Sequence, residues 1–242
     1  MYTLPHAVNL KDHLLERWDA VDHDPRLIED GALNVVVVGG GPTGVETAGA
    51  IAELYRSVFA KDYPSIGQDE ARVILVEAGP ELFSMFKPKL REYAANALTE
   101  RTVEVKTGAL VASVTPTSVK LKSEEELAAH TLVWGAGLQG NQLVQSLRVE
   151  LQRGNRLAVG PDLALPDHPG VFVVGDVAAI TDAETKQVLP QLGSVALQSG
   201  EHAGETIARR IAGKEAKPFE YKDKGTMAMI GRGAAVVQML GG

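Results

Sequence analysis

The sequence predicts an α/β fold built around a parallel sheet, and three observations support this. Residues 33–38 (LNVVVV) and 72–77 (RVILVE) are apolar runs without alternation, which is typical of strands buried on both faces of a parallel sheet. Residues 43–59 between them have helical periodicity. A glycine-rich run, residues 39–44, joins the first strand to this helix.

The order of the elements predicts a β-α-β-α-β core, a meander and a returning strand. Residues 1–32 are interpreted as a polar lead-in, with a short helix at 13–18. The remaining elements of this half are expected at 61–70 (loop), 90–101 (helix), 103–106 (strand), 109–115 and 118–122 (antiparallel hairpin or meander) and 130–134 (strand). The stripe expected to be buried on the first long helix comprises Val45, Ala48, Ala52 and Tyr55.

A different layout begins at about Leu143. A short strand is expected at 156–159, a buried strand at 171–174 (VFVV) and a long helix within 189–212. The apolar side of that helix is expected to comprise Val195, Ala203, Ile207 and Ile211. Residues 219–239 have strand signals around two glycines.

The bulk composition excludes several classes of function. The chain has 242 residues, 24 Lys and Arg against 31 Asp and Glu, and a net charge of -7, which argues against nucleic-acid binding. It has no cysteine, so disulfides and thiolate metal sites are excluded and redox chemistry must belong to a bound cofactor. No secretion signal and no apolar run of ~20 residues is present, which suits the cytoplasm.

The glycine run has the spacing of a phosphate-binding loop. Gly39, Gly41 and Gly44 match G-x-G-x-x-G: the first permits a tight turn, the second lets the backbone approach a pyrophosphate, and the third allows close helix–strand packing. The helix N-terminus then offers free N–H groups to phosphate, and Pro42 fits a helix start. The sequence therefore predicts a Rossmann-like domain that binds a dinucleotide.

An acidic residue at the end of the next strand favours NADH. Glu77 can accept hydrogen bonds from both ribose hydroxyls, and its charge would repel the 2′-phosphate of NADPH. It lies 33 positions after Gly44 rather than the usual ~20, and we attribute the excess to the 61–70 loop. A methyltransferase also uses a glycine loop and a strand-end acid, but it does not require the meander or a second glycine–acid strand end.

Other residues have both a site interpretation and a structural one. Glu46 lies on the first helical turn and is either near the nucleotide or an acid stabilised by the helix dipole. Ala136 and Gly137 end a strand at the ligand-binding edge or form a tight turn. Gly175 and Asp176 end a later strand, where the acid can bind hydroxyls of a second cofactor or simply form a turn.

The segment VVVVGGGPTGVETAGAIAEL resembles the NAD-binding signature of the pyridine-nucleotide:flavin oxidoreductases, most closely the type II NADH dehydrogenases (NADH:quinone oxidoreductases). The later segments VILVEAGPELFSMF, TLVWGAG, VFVVGDVAAI and LPQLGSVALQSGEHAGETIARRI follow in the family's order. The resemblance implies NAD(H) and FAD as cofactors, and hydride transfer from NADH to flavin and on to a quinone. It also implies domain limits: 1–32 lead-in, 33–140 NAD(H)-binding, 141–218 second part of an FAD-binding domain, and 219–242 start of a C-terminal domain.

The resemblance also implies roles for individual residues. Glu77 would hold the adenine ribose, and Asp176, beside Gly175, the ribityl chain of FAD. The loop at the NADH pyrophosphate would comprise Gly39, Gly41, Pro42, Thr43 and Gly44. Residues near the nicotinamide would be Glu46, Ala136 and Gly137, with Glu46 the one candidate for a catalytic role. Residues around the flavin ring and quinone entrance would be Pro190, Ala196 and Gln198, although Gln198 alone is typical of a surface amide.

Two departures from the family pattern shape the expectations. The family's first glycine fingerprint and its membrane-associated C-terminal segment are absent, so the chain is interpreted as a fragment that binds NADH but not FAD and that self-associates. Any contact with the inner face of the membrane would then need the missing segment. The family's A-Q-x-A-x-Q-Q-G pattern has Ser194 and Ser199 in place of two glutamines. A ferredoxin, rubredoxin or disulfide acceptor, or a non-catalytic NAD(H)-binding module, therefore stays open as an alternative.

Overall fold

The computed structural model describes residues 3–239, which divide into two units. Unit 1 contains the described residues up to Ala136 and those from Gly225 onward, and unit 2 spans Gly137–Lys224. The helices are α1 (Leu4–His23), α2 (Pro42–Leu54), α3 (Ala60–Asp62), α4 (Pro88–Thr99) and α5 (Gly193–Ile211). A π-helical segment, Tyr55–Phe59, joins α2 to α3, and short 3-10 turns occur at Pro25–Ile28, Gln142–Leu147 and Gly175–Val177.

The strands are short throughout the described chain. In unit 1 the first seven are β1 (Val35–Val38), β2 (Val73–Val76), β3 (Val103–Lys106), β4 (Val111–Val114), β5 (Ser118–Leu121), β6 (Glu126–Ala128) and β7 (Thr131–Trp134). In unit 2 they are β8 (Leu151–Gln152), β9 (Arg156–Ala158), β10 (Ala164–Leu165), β11 (His168–Phe172) and β12 (Ala178–Ala179). The chain then returns to unit 1 with β13 (Thr226–Gly231) and β14 (Ala234–Gln238).

The centre of unit 1 is a parallel sheet in the order β3-β2-β1-β7. Every residue of β1 and β2 is buried, as their unbroken valine- and leucine-rich runs predict. The carboxyl ends of all four strands lie at one edge, because the strands are parallel. The predicted α/β fold is confirmed.

The predicted antiparallel segment is a three-stranded meander, β4-β5-β6. Its alternating residues Val119, Leu121 and Leu127 are buried in a cluster with Val36 and Ile74 of the parallel sheet. The meander therefore covers one face of that sheet.

Helix α2 packs on the face of the parallel sheet opposite the meander, and together with the π-helical segment that follows it carries the predicted stripe. Val45, Ala48, Ala52 and Tyr55 are all buried. They share one core cluster with β1, β2, α1 and α4 residues. The stripe is confirmed because its spacing puts these side chains on one helical face.

The interpretation of residues 1–32 as a lead-in with a helix at 13–18 is wrong. Helix α1 has 20 residues, starts after an N-cap by the Thr3 hydroxyl, and belongs to unit 1. Its buried side chains are Leu14, Trp18 and Val21. The Trp18 ring packs within 5.5 Å of the rings of Tyr55, Phe59 and Tyr63. A stripe of three apolar residues in a polar sequence was too narrow to indicate this packing.

The last described residues differ from the expected start of a separate C-terminal domain. Strands β13 and β14 form a hairpin whose alternating residues Ala228, Ile230, Ala234 and Val236 are buried in the same core as β1 and α2. The absence of a side chain at Gly49 on α2 permits this contact, because a Cβ there would lie 1.9 Å from the Ile230 carbonyl oxygen. The hairpin is therefore part of unit 1.

Unit 2 contains two small sheets, β12-β9-β8 and β10-β11. The expected buried strand at 171–174 is wrong: β11 ends at Phe172, and Val171 is 41% exposed. Among the described strands its one neighbour is the two-residue β10, so β11 is not covered on both faces. Val173 alone of the predicted four residues is buried.

Helix α5 buries a different face from the one expected. Val195 and Ala203 are buried as predicted, but Ile207 and Ile211 are 43% and 83% exposed. The buried positions instead include Ser199 and Thr206. The buried residues of α5 are spaced by three or four positions and therefore share one helical face. Ile207 is the residue after Thr206, so its side chain points away from that face.

None of the helices described for this chain is both long and apolar enough to cross a membrane. Over the same residues, His, Cys, Asp and Glu side chains nowhere gather in threes in a way that could hold a metal ion.

Candidate nucleotide-binding site

The glycine loop follows β1 at the carboxyl edge of the sheet, and its glycines have distinct surroundings. Gly39 has φ +115°, and a Cβ there would lie 2.8 Å from the carbonyl carbon of Gly135. A Cβ on Gly44 would lie 1.8 Å from the Gly39 oxygen. At Gly41, by contrast, a Cβ would have no neighbour within 4 Å. The backbone is thus closely packed at the first and third glycines and open at the second.

The open glycine is also the N-cap of α2. Helix α2 begins at Pro42, and no side chain caps its free N–H groups. Such a terminus presents unpaired backbone donors and a positive dipole end. The loop therefore exposes an anion-binding backbone where the sequence predicts a pyrophosphate.

The Glu77 carboxylate is fixed by two backbone amides. Its Oε2 accepts a hydrogen bond from Gly40 N at 2.5 Å, and its Oε1 accepts one from Gly79 N at 2.5 Å. A side chain on Gly40 would collide with this arrangement, since a Cβ there would lie 2.8 Å from Glu77 Cγ. The acid at the tip of β2 is thereby tied to the glycine loop after β1.

A cavity of 250 Å³ opens beside this carboxylate. Its lining includes Gly40, Gly41, Glu77, Gly79, Phe83 and Met85. Arg91 and Glu81, which form an ion pair, lie at the same cavity. Gly41 and Glu77, predicted to hold the pyrophosphate and the ribose, therefore face one opening.

Sequence reasoning missed the turn that closes this cavity. Phe83 is buried with φ +51°, a rare backbone conformation for a side chain of this size, and its N–H donates to the Gly40 carbonyl at 2.8 Å. Such outliers concentrate at ligand sites. The dipeptide Gly79-Pro80, which begins two residues after the acid, was the available turn signal, whereas nothing local indicates a positive φ at Phe83.

Thr43 and Glu46 line a different opening, a groove of 470 Å³ between α1 and α2. Both side chains are exposed. Glu46 Oε1 accepts a hydrogen bond from Met229 N of β13 at 3.0 Å. The first turn of α2 therefore lines this groove, whereas the lining of the cavity at Glu77 includes Gly41 and no residue of α2. Thr43 and Glu46 are thus not brought to the cavity that Gly41 and Glu77 share.

The end of β7 packs directly against the glycine loop. Gly135 N donates to the Val38 carbonyl at 2.8 Å, and Ala136 Cα would lie 2.9 Å from a Cβ on Gly39. Gly137, the first residue of unit 2, has φ +95°. Ala136 is therefore brought to the same edge as the loop and Glu77.

Within unit 2 the structure brings some of the residues that the resemblance implies for a flavin together, namely Gly175, Asp176 and Ala196, whose Cβ would lie 3.5 Å from a Cβ on Gly175. Gly175 has φ +67°, and its N–H donates to Ser199 Oγ at 3.0 Å. The Asp176 carbonyl accepts from Gln191 Nε2 at 2.9 Å, next to Pro190. The loop at 175–177, the start of α5 and the segment before it are thus joined by hydrogen bonds.

Arg156 fixes the same loop, and sequence reasoning did not single it out. Its Nη2 donates to the carbonyls of Ala178 at 2.5 Å and Leu189 at 3.0 Å. Burial lowers the pKa of the Arg156 guanidinium, and the Asp176 carboxylate opposes that shift. Its position within a short strand gave no local signal for this role.

Gln198 and Ser194 have protein partners already. The Gln198 amide makes two bonds to the backbone of Lys222, with Nε2 to the carbonyl at 2.9 Å and Oε1 to the N–H at 3.0 Å. The Ser194 hydroxyl lies 2.8 Å from the Tyr221 hydroxyl. Gln198 therefore tethers residue 222 to α5, the role of a structural amide.

The sheet order, the glycine loop after the first strand and the acid after the second define a Rossmann-type dinucleotide-binding fold. The sequence profile of the pyridine nucleotide-disulphide oxidoreductase family matches residues 3–200. The chain belongs to this family.

Within this family, the chain is similar in sequence to type II NADH:quinone oxidoreductases. The type II NADH:quinone oxidoreductase Ndh of Mycobacterium tuberculosis is 34% identical over 99% of this chain and 53% of its own length. The type II NADH:quinone oxidoreductase of Staphylococcus haemolyticus is 34% identical over 84% of this chain and 50% of its own length. The chain therefore spans about half the length of the curated relatives it matches.

A solved structure shares the fold. The structure of NDH2 from Plasmodium falciparum in complex with NADH superposes with a TM-score of 0.86, covering 99% of this chain and 64% of that one, at 16% identity.

Proposed function

We propose that unit 1 binds NADH and presents it for hydride transfer. The observation that carries this proposal is the coupling of the open glycine loop to the fixed Glu77 carboxylate in one 250 Å³ cavity. A diphosphate at Gly41 would meet unpaired N–H groups of α2, and the adjoining ribose would meet Glu77. The M. tuberculosis and S. haemolyticus relatives are named as NADH:quinone oxidoreductases, which supports the same cofactor.

The charge of Glu77 favours NADH over NADPH. Each carboxylate oxygen has two lone pairs, and one on each is taken by the amides of Gly40 and Gly79. One acceptor per oxygen remains for the two ribose hydroxyls. A 2′-phosphate would instead meet a fixed negative charge in a half-buried setting.

We further propose that the reaction is oxidation of NADH by FAD in the complete enzyme. Bound FAD would supply the acceptor for the hydride of NADH, and the residues of the protein would position the two rings and exclude water. Asp176 would hold the ribityl chain, because its loop is fixed by Arg156, Gln191 and Ser199 without using the carboxylate. Glu46, Ala136 and Gly137 would lie toward the nicotinamide.

This chain alone is expected to bind NADH and retain no stoichiometric FAD. Among residues 3–239, β1–α2 is the one strand that leads through a G-x-G-x-x-G loop directly into an α-helix. The described residues therefore fit the ribityl part of FAD but provide no second loop of this kind for its diphosphate.

A quinone is the acceptor that the relatives' names support, and it would place the enzyme at the inner face of a membrane. Ser194 and Ser199 replace two glutamines of the family pattern, so we also propose a second candidate function. This is an NADH-dependent reductase of ferredoxin, rubredoxin or a disulfide. Ser199 is fully buried and accepts a hydrogen bond from Gly175 N, a position that the longer side chain of a glutamine would pack differently. Steady-state assays of the full-length enzyme with each acceptor would separate the two.

We also propose that the chain self-associates. Its exposed apolar side chains in unit 2 include Leu143, Leu197 and Ile211. Exposed apolar surface of this kind favours association in water.

Equilibrium titration with NADH and NADPH tests the central proposal. We expect saturable binding of NADH, with clearly weaker binding of NADPH, and no flavin absorbance in the purified chain. Gly204→Ala is a suitable control, because this exposed position on α5 has open space for a Cβ and is remote in sequence from the loop. Absence of NADH binding would refute the proposal. Equal affinity for NADH and NADPH would show that Glu77 does not select between them.

A further inference from the structure

The β13–β14 hairpin lies along one face of the helix that begins at the glycine loop. Three α2 residues on that face, Glu46, Gly49 and Glu53, follow the 3- and 4-residue spacing of a helical stripe. Each of them meets the backbone of the hairpin. Two are acids on a surface-facing stripe, where their side chains would ordinarily point to water.

The contacts are specific and involve backbone groups of three hairpin residues, Met229, Ile230 and Arg232. Met229 N donates to Glu46 Oε1 at 3.0 Å, and Arg232 N donates to Glu53 Oε1 at 2.6 Å. Between them, the Ile230 carbonyl lies so close to Gly49 that a Cβ there would approach its oxygen to 1.9 Å. The hairpin strand is therefore docked over nearly two turns of α2.

Further contacts fix the hairpin from its other side. Arg101, which follows α4, donates from Nη2 to the Arg232 carbonyl at 3.0 Å and from Nη1 to the Ala97 carbonyl at 2.8 Å. The Gln238 side chain accepts from Lys87 N at 2.8 Å at the start of α4. The hairpin is thus held by α2 and α4 together, which gives it a defined place from which to orient Glu46.

We propose that this hairpin positions the nucleotide site from outside it. The Met229 amide orients the Glu46 carboxylate, and the close contact at Gly49 fixes the position of the first two turns of α2. Both effects act on the helix whose N-terminus faces the dinucleotide. The inference rests on the proposed NADH function of unit 1, and it makes Met229 and Gly49 positioning residues for NADH binding.

Gly49→Ala tests the proposal directly, because the added methyl group has to displace Ile230. We expect the Met229 amide to lose protection in residue-resolved hydrogen exchange. We expect the NADH affinity to fall about tenfold, because the displaced helix would no longer present its N-terminal amides to the dinucleotide in the same geometry. Gly204→Ala is the matched helical control, since its Cβ meets nothing within 4 Å. It should change neither quantity.

Glu46 variants keep the test valid if Gly49→Ala does not fold. Glu46 is exposed, so Glu46→Ala is expected to fold, to expose the Met229 amide and to weaken NADH binding by a similar factor. Glu46→Gln retains an oxygen acceptor for Met229 N and should restore the protection of that amide. If the hairpin acts through Glu46, the double variant Gly49→Ala/Glu46→Ala should bind NADH no more weakly than either single variant.

The outcomes separate the two proposals. Loss of hairpin protection in Gly49→Ala with wild-type NADH affinity would overturn the positioning role and leave the NADH function intact. Additive losses in the double variant would also overturn it, because the two residues would then act independently. A wild-type chain that binds no NADH, with a fully protected Met229 amide, would instead refute the proposed function on which the inference rests.

Discussion

Replacing Glu77 by alanine tests the link between the strand-end acid and dinucleotide choice. In the proposed complex the carboxylate accepts two ribose hydroxyls with the lone pairs left over from Gly40 and Gly79. A hydrogen bond to a charged group contributes roughly 1.5–3 kcal/mol. The lower figure applies here because Glu77 is only half-buried. Two such bonds correspond to about 3 kcal/mol, or an NADH affinity about 100-fold weaker.

Affinity for NADPH should respond differently to the same change. Removing the negative charge relieves its repulsion of the 2′-phosphate, so NADPH binding should not weaken in parallel and the preference for NADH should shrink. Calorimetric titration of both dinucleotides measures this, with Glu100→Ala as an acidic control on an exposed position outside the cavity. Glu77→Ala with unchanged NADH affinity and selectivity would refute the reasoning.

The loop itself reports on the same substitution without any ligand. In the wild type the amides of Gly40 and Gly79 are bonded to the Glu77 carboxylate. Their hydrogen exchange should therefore be faster at both glycines in Glu77→Ala. Glu77→Gln keeps one acceptor oxygen and replaces the other by an NH2 group, so only one of the two amides should exchange as in the wild type. Unchanged exchange at both glycines would mean that the carboxylate does not fix the loop in solution.

Other substitutions separate binding from stability. Gly41→Ala should leave the melting temperature nearly unchanged and abolish NADH binding. Gly44→Ala should lower both the melting temperature and the NADH affinity, because its Cβ would lie 1.8 Å from a carbonyl oxygen. Equal melting temperatures of the two variants would contradict this expectation. Burial raises the pKa of the Glu104 carboxyl, but the hydrogen bonds that it accepts from Arg72 and Lys106 have the larger combined effect. They lower this pKa below its ordinary value of 4.5. The Glu104 carboxylate therefore stabilises the fold above pH 4.5, and this stabilisation is lost as the pH falls through the lowered pKa. In thermal melts, the difference in melting temperature between wild type and Glu104→Gln should shrink over that acidic range. Ile211→Asp should reduce self-association in light scattering, and a monomeric wild type would refute that expectation.

The central sheet could be predicted from sequence because its signal is local. The apolar runs of β1 and β2 are buried on both faces, and their shortness and their β-branched residues favour strands over a buried helix. Helix α2 was equally clear, since its buried stripe and its start at Pro42 are properties of the segment itself.

The remaining differences in fold depend on contacts between distant segments. Trp18 of α1 is buried by aromatic rings that come almost 40 positions later, at Tyr55 and Phe59. Nothing in the polar sequence around Trp18 indicates these partners. The β13–β14 hairpin likewise packs against α2 through Gly49, a contact that spans most of the chain. Periodicity describes a segment's own faces and not which partner will cover them.

The candidate site shows the same division between residue type and geometry. Glu77 was found because a strand-end acid next to a glycine loop has a known chemistry, yet its orientation comes from the amides of Gly40 and Gly79. Those amides are in place because the turn at Phe83 returns to the Gly40 carbonyl. The carboxylate is thus fixed before any nucleotide arrives, and little side-chain entropy remains to be lost on binding. Selectivity for the dinucleotide therefore depends on a backbone turn as much as on the acid, and a variant that disturbs the turn at Phe83 should weaken NADH binding while leaving Glu77 itself unchanged.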